Sequence, residues 1–272
     1  MRVLYLLWML SISAITYSVF LRGKIHSPDN ITAGPLHQRD SVIIHPEPLV
    51  YPPDSWPYFL QHLPRTKGPV LDFKGNPIAD QEKHTEILTY DVGTTDLQQC
   101  ADALMRIRAE YLFTRKKYSS IGFHFNSGIF YSWNDYLKGI RPVFFKGKQI
   151  LSPVSPPMEI SHTALRNYLD IVYAYANTVS LCRELPVTTR MEPGTVIIYP
   201  GNPGHCCMII DAAVYAGTDT VFKLVEGYMP AQSIYILSNP YEPEWNPWYH
   251  LGKGDISTAS CTFRSYYLRK FE

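Results

Sequence analysis

The clearest alternation of apolar and turn-forming residues lies between residues 192 and 211. Thr195 to Tyr199 is rich in β-branched residues, and residues 206–210 are continuously apolar. Between these runs stands Pro-Gly-Asn-Pro-Gly, a combination typical of a turn. The pattern predicts a hairpin in which His205 is the first residue of the second strand, directly after Gly204. Because glycine lacks a side chain, another group can approach the imidazole closely.

Two stretches carry apolar residues at helical spacing. The first runs from Leu97 to Tyr118 with Thr95 or Asp96 as its cap, and it places Cys100 in the first turn. The second runs from Ser161 to Leu181. Further strands are predicted at 87–92, 220–226 and 233–237, and a short helix at 56–63. Together these elements predict an α+β fold in which a helix packs on an antiparallel sheet.

The N-terminal segment predicts export. Val3 to Leu21 is apolar apart from scattered Ser and Thr, and basic residues flank it on both sides. This pattern is typical of a signal peptide or a membrane anchor, so residues 1–22 are assigned to one of the two. Residues 23–55 are polar and proline-containing, which favours a linker or an extended arm. Residues 56–272 are then a single α+β domain, located in the periplasm or cell envelope.

Composition narrows the classes of function. Hydrophobic residues make up 46% of the chain and charged residues 18%, which is enough for a sizeable core. A net charge of +1 without a basic block argues against nucleic-acid binding. The five cysteines are an odd number, so at least one thiol should stay unpaired even outside the cytoplasm. Their spacing does not resemble a zinc site, and we predict neither a metal nor another cofactor.

The order of three residue types along the chain suggests covalent catalysis by a thiol. Cys100 lies at a helix start, where free backbone N–H groups and the helix dipole stabilise a thiolate. His205 begins a strand and would take the thiol proton and pass it to the leaving amine. Glu226, at the end of the next strand, would hold the imidazole in one tautomer, with Gln232 and Asp211 as reserves. This order is that of the papain-like layout.

Other residues are predicted to support the reaction or contact the substrate. Backbone N–H groups at Cys100, helped by the amide of Gln98 or Gln99, would meet the negative oxygen that forms during acyl transfer. Residues 121–159 break the periodicity. Their first part alternates as a strand does, and the rest is predicted to be a long aromatic loop region on the substrate side. The predicted substrate contacts are Trp133, Arg141 and Tyr228. A plain surface excursion is the alternative interpretation of 121–159.

The three catalytic candidates also have structural interpretations. Cys100 shares an apolar stripe with Leu97 and Leu104, as a small residue on the buried face of a helix would. His205 would then lie at the lip of a buried hairpin, and Glu226 would be a solvated carboxylate at a strand end. The separation of the Cys100 sulfur and the His205 ring decides between the two interpretations.

Three segments resemble a bacterial family of exported proteins known only as domain of unknown function 4846. They are LQQCADALMRIRAEYL at 97–112, PGH at 203–205 and YMPAQ at 228–232. The resemblance extends from about Trp56 to the C-terminus. It implies family membership but no activity, because the family has none assigned.

A second, weaker resemblance is to the NlpC-type and CHAP cell-wall peptidases and amidases. In those enzymes a Gly-Asp-Val-like strand leads into a Gly-His-apolar strand, and an acidic or amide residue follows on the next strand. Gly194, His205 and Glu226 occupy the matching places, although Thr195 stands where those enzymes usually have Asp. The chain also lacks the Ser-Gly pair that commonly follows the NlpC-type cysteine.

This second resemblance implies a papain-like fold and peptidoglycan peptide as the substrate. We therefore expect an exported cysteine peptidase or amidase that acts on cell-wall peptide by Cys–His catalysis. The alternative is a non-catalytic envelope protein of the same fold that binds peptide or glycan through its aromatic loops.

Overall fold

One large antiparallel sheet organises the part of the chain that the structure describes. A computed structural model describes residues 46–271 apart from 216 and 218. The strands are β1 (Glu47–Pro48), β2 (Arg65–Thr66), β3 (His84–Leu88), β4 (Gly122–His124), β5 (Phe130–Ser132), β6 (Ile140–Phe145), β7 (Lys148–Pro153), β8 (Thr195–Tyr199), β9 (His205–Tyr215), β10 (Asp219–Glu226), β11 (Tyr235–Leu237), β12 (Ile256–Ser257), β13 (Thr262–Phe263) and β14 (Tyr267–Lys270).

Eight of these strands belong to the large sheet, and all their pairings are antiparallel. The order is β14-β8-β9-β10-β11-β3-β2, and β1 pairs with β9 beyond the end of β8. The predicted hairpin is present as β8 and β9, with Tyr199 opposite His205. Because β1 lies in the segment predicted to be a linker or an extended arm, the end of that segment is part of the sheet.

The large sheet is buried on both faces, which explains why residues 206–210 are continuously apolar. Successive side chains of a strand point to opposite faces. Cys206 and Met208 therefore join the core beneath the helices, whereas Cys207 and Ile209 join a second core on the other face. Loops after β11 cover that second face and contribute Tyr249, Ile256 and Phe263.

Five α-helices cover the first face or the insertion beside it. They are α1 (Trp56–Gln61), α2 (Cys100–Thr114), α3 (Trp133–Leu137), α4 (His162–Tyr175) and α5 (Thr178–Glu184). The single helix predicted over 161–181 is two helices. The chain leaves the helical conformation at Ala176, and the side chain of Asn177 then caps α5 by accepting a hydrogen bond from the Val179 N–H at 2.8 Å.

Helix α2 is buried on almost every side, and its first turn touches the end of β10. A methyl group added at Gly227 would lie 2.7 Å from the Cβ of Ala103. Glycine is therefore required where the chain leaves β10 and passes the helix. This close approach brings the start of α2 against the sheet edge where β9 begins and β10 ends.

Residues 121–159 are more regular than the sequence predicted. They form the hairpins β4–β5 and β6–β7 with α3 between them, so the prediction of a long loop region is wrong. The alternation noticed at the start of this stretch corresponds to β4, whereas the other three strands were missed. β5 has only three residues, too few to show an alternating pattern, and Pro142 interrupts the pattern of β6.

Two residues of this insertion that were predicted to contact substrate pack on aromatic rings. Trp133 is fully buried and packs on the rings of Tyr136 and Tyr168. Arg141 places its guanidinium 3.8 Å from the centroid of the Tyr136 ring and donates to two backbone carbonyl oxygens. Trp133 has no exposed surface for a ligand, so that prediction is wrong. Arg141 is half-buried, and its contact with substrate stays a prediction. These contacts with aromatic rings stabilise the insertion.

The fold is mixed α and β with a large antiparallel sheet, as predicted at that level. The predicted signal peptide or anchor at residues 1–22 lies outside the described residues. Within 46–271, apart from 216 and 218, no helix has the length and apolar character needed to span a bilayer.

Candidate active site

Cys100 is the first residue of α2 and Gln99 is its N-cap, so the helix begins at Cys100 and not at Leu97, and the predicted cap at Thr95 or Asp96 is wrong. The backbone N–H of Gln99 donates to the Asp102 carboxylate at 3.0 Å, which satisfies one of the donors that precede a helix. The side chain of Cys100 is almost buried, with 7% of its surface exposed. The sulfur therefore lies at the positive end of the helix dipole, in a region of low dielectric constant.

His205 is held next to this sulfur by the turn before β9. A methyl group at Gly204 would lie 2.2 Å from the hydroxyl oxygen of Thr178, so only glycine allows the turn to pack against α5. The Cys100 Sγ lies 3.9 Å from the Gly204 carbonyl oxygen, one residue before the imidazole. Gly204 is therefore needed for the contact between the turn and α5, whereas the sequence had assigned it to an approach toward the imidazole.

Glu226 reaches His205 from the neighbouring strand. β10 runs antiparallel to β9, so its last residue lies beside the first residue of β9. The Nε2 atom of His205 donates to Oε2 of Glu226 at 2.8 Å, and the glutamate is fully buried. Because an ionised carboxylate only accepts, this bond fixes the proton on Nε2 and leaves Nδ1 for the sulfur.

Two hydroxyl groups hold the other oxygen of Glu226. Tyr235 on β11 donates to Oε1 at 2.6 Å, and Ser260 donates to the same atom. Both oxygens of this buried carboxylate are therefore satisfied, and the glutamate cannot rotate away from the histidine without losing several bonds.

The charges of Cys100 and His205 depend on each other. Hydrogen bonds from the Cys206 thiol and from His205 outweigh burial and lower the pKa of Cys100 to about 5. Burial opposes the charged form of His205, but its bonds to Cys100 and Glu226 raise its pKa to about 9. Between these two values the pair is a thiolate and an imidazolium.

Aromatic rings fix the orientation of the imidazole. Phe263 on β13 stacks on it with centroids 5.6 Å apart and an angle of 25° between the ring planes. Tyr228 approaches it edge-on at 5.3 Å. Tyr228 also lines the cavity at the site, where the sequence had placed it as a substrate contact.

Cys100 lines two cavities. The larger has a volume of about 720 Å³ and includes His205, Tyr199 and Tyr228, with Arg264 as a charged residue of its wall. The smaller, of about 290 Å³, is more polar and includes Gln99 and the turn before His205.

The predicted supporting residues are divided between this site and other places. Gln99 lines the smaller cavity beside Cys100. Gln98 is buried elsewhere and accepts from Arg106 at 3.5 Å, and Gln232 is buried at a backbone bridge to Asp72. Asp211 lies further along β9, where it accepts from Gln61 at 2.9 Å. Gln98, Gln232 and Asp211 therefore do not reach His205 or the described cavities.

Sequence reasoning missed Ser260, Tyr235, Cys206 and Phe263. Tyr235 and Cys206 lie on predicted strands, but the sequence does not show which distant residue each of them faces. Ser260 and Phe263 come from the covering loops after β11, where no periodic pattern marks them. Among the described residues, no group of three or more His, Cys, Asp or Glu side chains is arranged to bind a metal ion.

The fold and site together define a mixed α and β protein in which a helix-start cysteine, a strand-start histidine and a buried glutamate meet. All five thiols are free. The sequence profile of the family described as domain of unknown function (4846) matches residues 49–270, so the chain belongs to that family, as predicted. Comparison with curated proteins and with solved structures finds no match. The resemblance to NlpC-type and CHAP enzymes therefore has no support from these comparisons.

Proposed function

We propose that this protein is a cysteine hydrolase, a peptidase or amidase with a papain-like catalytic arrangement. The observation that carries the proposal is that Cys100 and His205 line one cavity, with the Cys100 Sγ 3.9 Å from the carbonyl oxygen of the residue before His205 and the His205 Nε2 2.8 Å from Glu226. Nucleophile, base and orienting group are the three parts that thiol-based acyl transfer requires. We include a papain-like fold in the proposal because of this arrangement and the order of the elements along the chain.

The proposed reaction has two steps. The thiolate of Cys100 attacks the acyl carbon, the C–N bond breaks, and the imidazolium of His205 gives its proton to the leaving amine. The product is a thioester on Cys100. Water then attacks the thioester while neutral His205 accepts a proton from it. The C–S bond breaks, which releases the free acid and regenerates the thiolate of Cys100 and the imidazolium of His205. Glu226 keeps the same tautomer of the imidazole through both steps.

The negative oxygen of the intermediate needs donors beside the sulfur. The backbone N–H of Cys100 lies at the start of α2, where helix N–H groups have no partner within the helix. Gln99 lines the cavity at this point and remains our candidate for a second donor. Gln98 is not retained, because it is buried and lines neither cavity beside Cys100.

The proposed substrate is cell-wall peptide. Two cavities that both include Cys100 suit an extended chain that continues past the bond to be cut. Arg264 offers a cation to a substrate carboxylate, and Tyr199 and Tyr228 offer aromatic surfaces. The apolar N-terminal segment with basic flanks supports export to the compartment where this polymer is found.

Incubation of the full-length protein with purified peptidoglycan, followed by mass spectrometry of released fragments, tests the proposal. We expect the native chain to release peptide fragments and Cys100→Ser to release none while it still binds the polymer. Cys182→Ser is the matched control, because Cys182 is a buried cysteine of α5 outside both cavities. No release by the native chain, with binding retained, would instead support the non-catalytic envelope protein.

A further inference from the structure

The hairpin of β6 and β7 exposes apolar side chains at its tip. Phe144 is 66% exposed and Phe145 is 59% exposed, and Ile150 on the returning strand is exposed as well. Because adjacent residues of a strand point to opposite faces, the tip is uncovered on both faces. Half of the exposed large apolar side chains of the described residues lie between residues 130 and 160. A concentration of this kind marks a surface for interaction.

The tip is a tight turn and not a loose loop. Phe145 pairs with Lys148, and the two residues between them, Lys146 and Gly147, have φ angles of 49° and 75°. Positive φ at both central residues is what a two-residue type I′ turn requires. The two strands stay paired from this turn to the base of the hairpin. The phenylalanines are therefore held outward by the backbone.

The hairpin and its base carry only positive charge. Between residues 136 and 158 the sequence contains Lys138, Arg141, Lys146 and Lys148 but no Asp or Glu. The whole chain has a net charge of +1, so its other parts are negative on balance. None of the three lysines forms a salt bridge with another described residue. The exposed apolar tip is therefore surrounded by uncompensated cations.

This combination favours an anionic lipid surface. Phosphate groups of anionic lipids attract lysine, and aromatic side chains partition into the interfacial layer at the level of the headgroups. The long stem of lysine lets its ammonium group stay at the phosphates while the apolar neighbours go deeper. The apolar segment at residues 3–21, with its basic flanks, is also typical of a chain that meets a membrane.

We propose that the β6–β7 hairpin docks on a bilayer that contains anionic lipids. Phe144 and Phe145 enter the interfacial layer, and Lys146 and Lys148 contact the lipid phosphates. The docking does not depend on the proposed reaction, because neither cavity at Cys100 includes a residue of the hairpin.

Hydrogen exchange of the full-length protein with vesicles tests the proposal. A local readout is needed because the N-terminal segment can bind vesicles by itself, so mass spectrometry follows peptides that cover residues 142–151. One set of vesicles is phosphatidylcholine mixed with phosphatidylglycerol, and the other is phosphatidylcholine alone. We expect the amides of the turn to exchange about tenfold more slowly with the mixed vesicles, because docking excludes water from the tip.

Two double variants separate the apolar and the charged contributions. Phe144→Ser combined with Phe145→Ser should remove the protection. Lys146→Gln combined with Lys148→Gln should remove the difference between the two kinds of vesicle. All four side chains are exposed, so these changes leave the core intact.

Tyr241→Ser is the matched control. Tyr241 is another exposed aromatic residue, but it lies in a loop next to the acidic residues Glu242 and Glu244. This variant should leave the exchange of the hairpin unchanged, and residues 239–248 should show no protection by either kind of vesicle.

Three results would overturn the proposal. The first is equal exchange of the hairpin with the two kinds of vesicle. The second is equal protection of the hairpin and residues 239–248, which would indicate unspecific adsorption. The third is protection that appears without vesicles as the protein concentration rises, which would assign the hairpin to contact with a second copy of the chain.

Discussion

Two buried glutamates in this protein each bond to a histidine, and only one of them belongs to the site. Glu226 receives His205 at 2.8 Å together with two hydroxyl groups. Glu110, near the end of α2, receives His162 at the same distance and also the guanidinium of Arg106 at 2.6 Å. The chemical types are alike, but the two surroundings differ.

The two glutamates differ in the cation that compensates their negative charge. Arg106 is permanently charged and fully buried beside Glu110, so that carboxylate is compensated whatever the state of His162. His162 has 53% of its side chain exposed and contacts no thiol. Among the described residues no Lys or Arg forms a salt bridge with Glu226, so its compensating cation is the titratable His205. A carboxylate paired with a titratable partner can shift the pKa of that partner, whereas one paired with arginine mainly stabilises the fold.

The largest effect is expected for Glu226→Gln. The neutral amide no longer favours the imidazolium or selects one tautomer, so kcat/KM for peptide hydrolysis should fall about 100-fold. The alkaline limb of the pH profile should also move to lower pH, because the bond that raises the pKa of His205 is weakened. Steady-state kinetics across pH measure both effects. An unchanged alkaline limb would show that Glu226 does not act through His205.

The next largest effect is expected in the pH dependence of kcat/KM for the native chain. Cys100 must be deprotonated and His205 protonated in the free enzyme, so kcat/KM should be bell-shaped. With pKa values of about 5 for Cys100 and about 9 for His205, the plateau lies between them. Activity should fall about tenfold per pH unit below the acid limb and above the alkaline limb. A profile that rises steadily to high pH would indicate a thiol without an ion-pair partner.

The smallest effect on the reaction is expected for Glu110→Gln. This change leaves the buried guanidinium of Arg106 without its closest carboxylate, which should lower the free energy of unfolding by about 3 kcal/mol. Activity at a temperature where the variant is folded should stay within about twofold of the native value, because Glu110 contacts neither cavity. Urea denaturation measures the first quantity and kinetics the second. A large loss of activity in the folded variant would show that Glu110, like Glu226, supports the reaction and not only the stability of the fold.

Sequence reasoning located those parts of the site that lie in regular elements. Cys100 was recognised from the apolar spacing of α2, although the cap is Gln99 and not Thr95 or Asp96, and His205 was recognised from the turn that precedes β9. It failed for residues whose role depends on distant partners. Trp133 and Arg141 are residue types that often contact ligands. Within the insertion, however, Trp133 packs on the ring of Tyr136, and the guanidinium of Arg141 lies over the same ring. Gln98 and Gln99 are adjacent and identical, but the chain turns at the helix start. As a result, Gln98 contacts Arg106, whereas Gln99 lines a cavity beside Cys100.

The sequence by itself determined the α and β composition, the hairpin of β8 and β9, the place of Cys100 in the first turn of a helix and the family. These features depend on local periodicity and turn chemistry, which act over a few residues. Only the tertiary structure decided that Tyr235 and Ser260 bond to Glu226, and that Cys206 rather than Cys207 belongs to the core that includes Cys100. Those pairings depend on strand order and on which face of the sheet each core covers, and residues far apart in the chain set both.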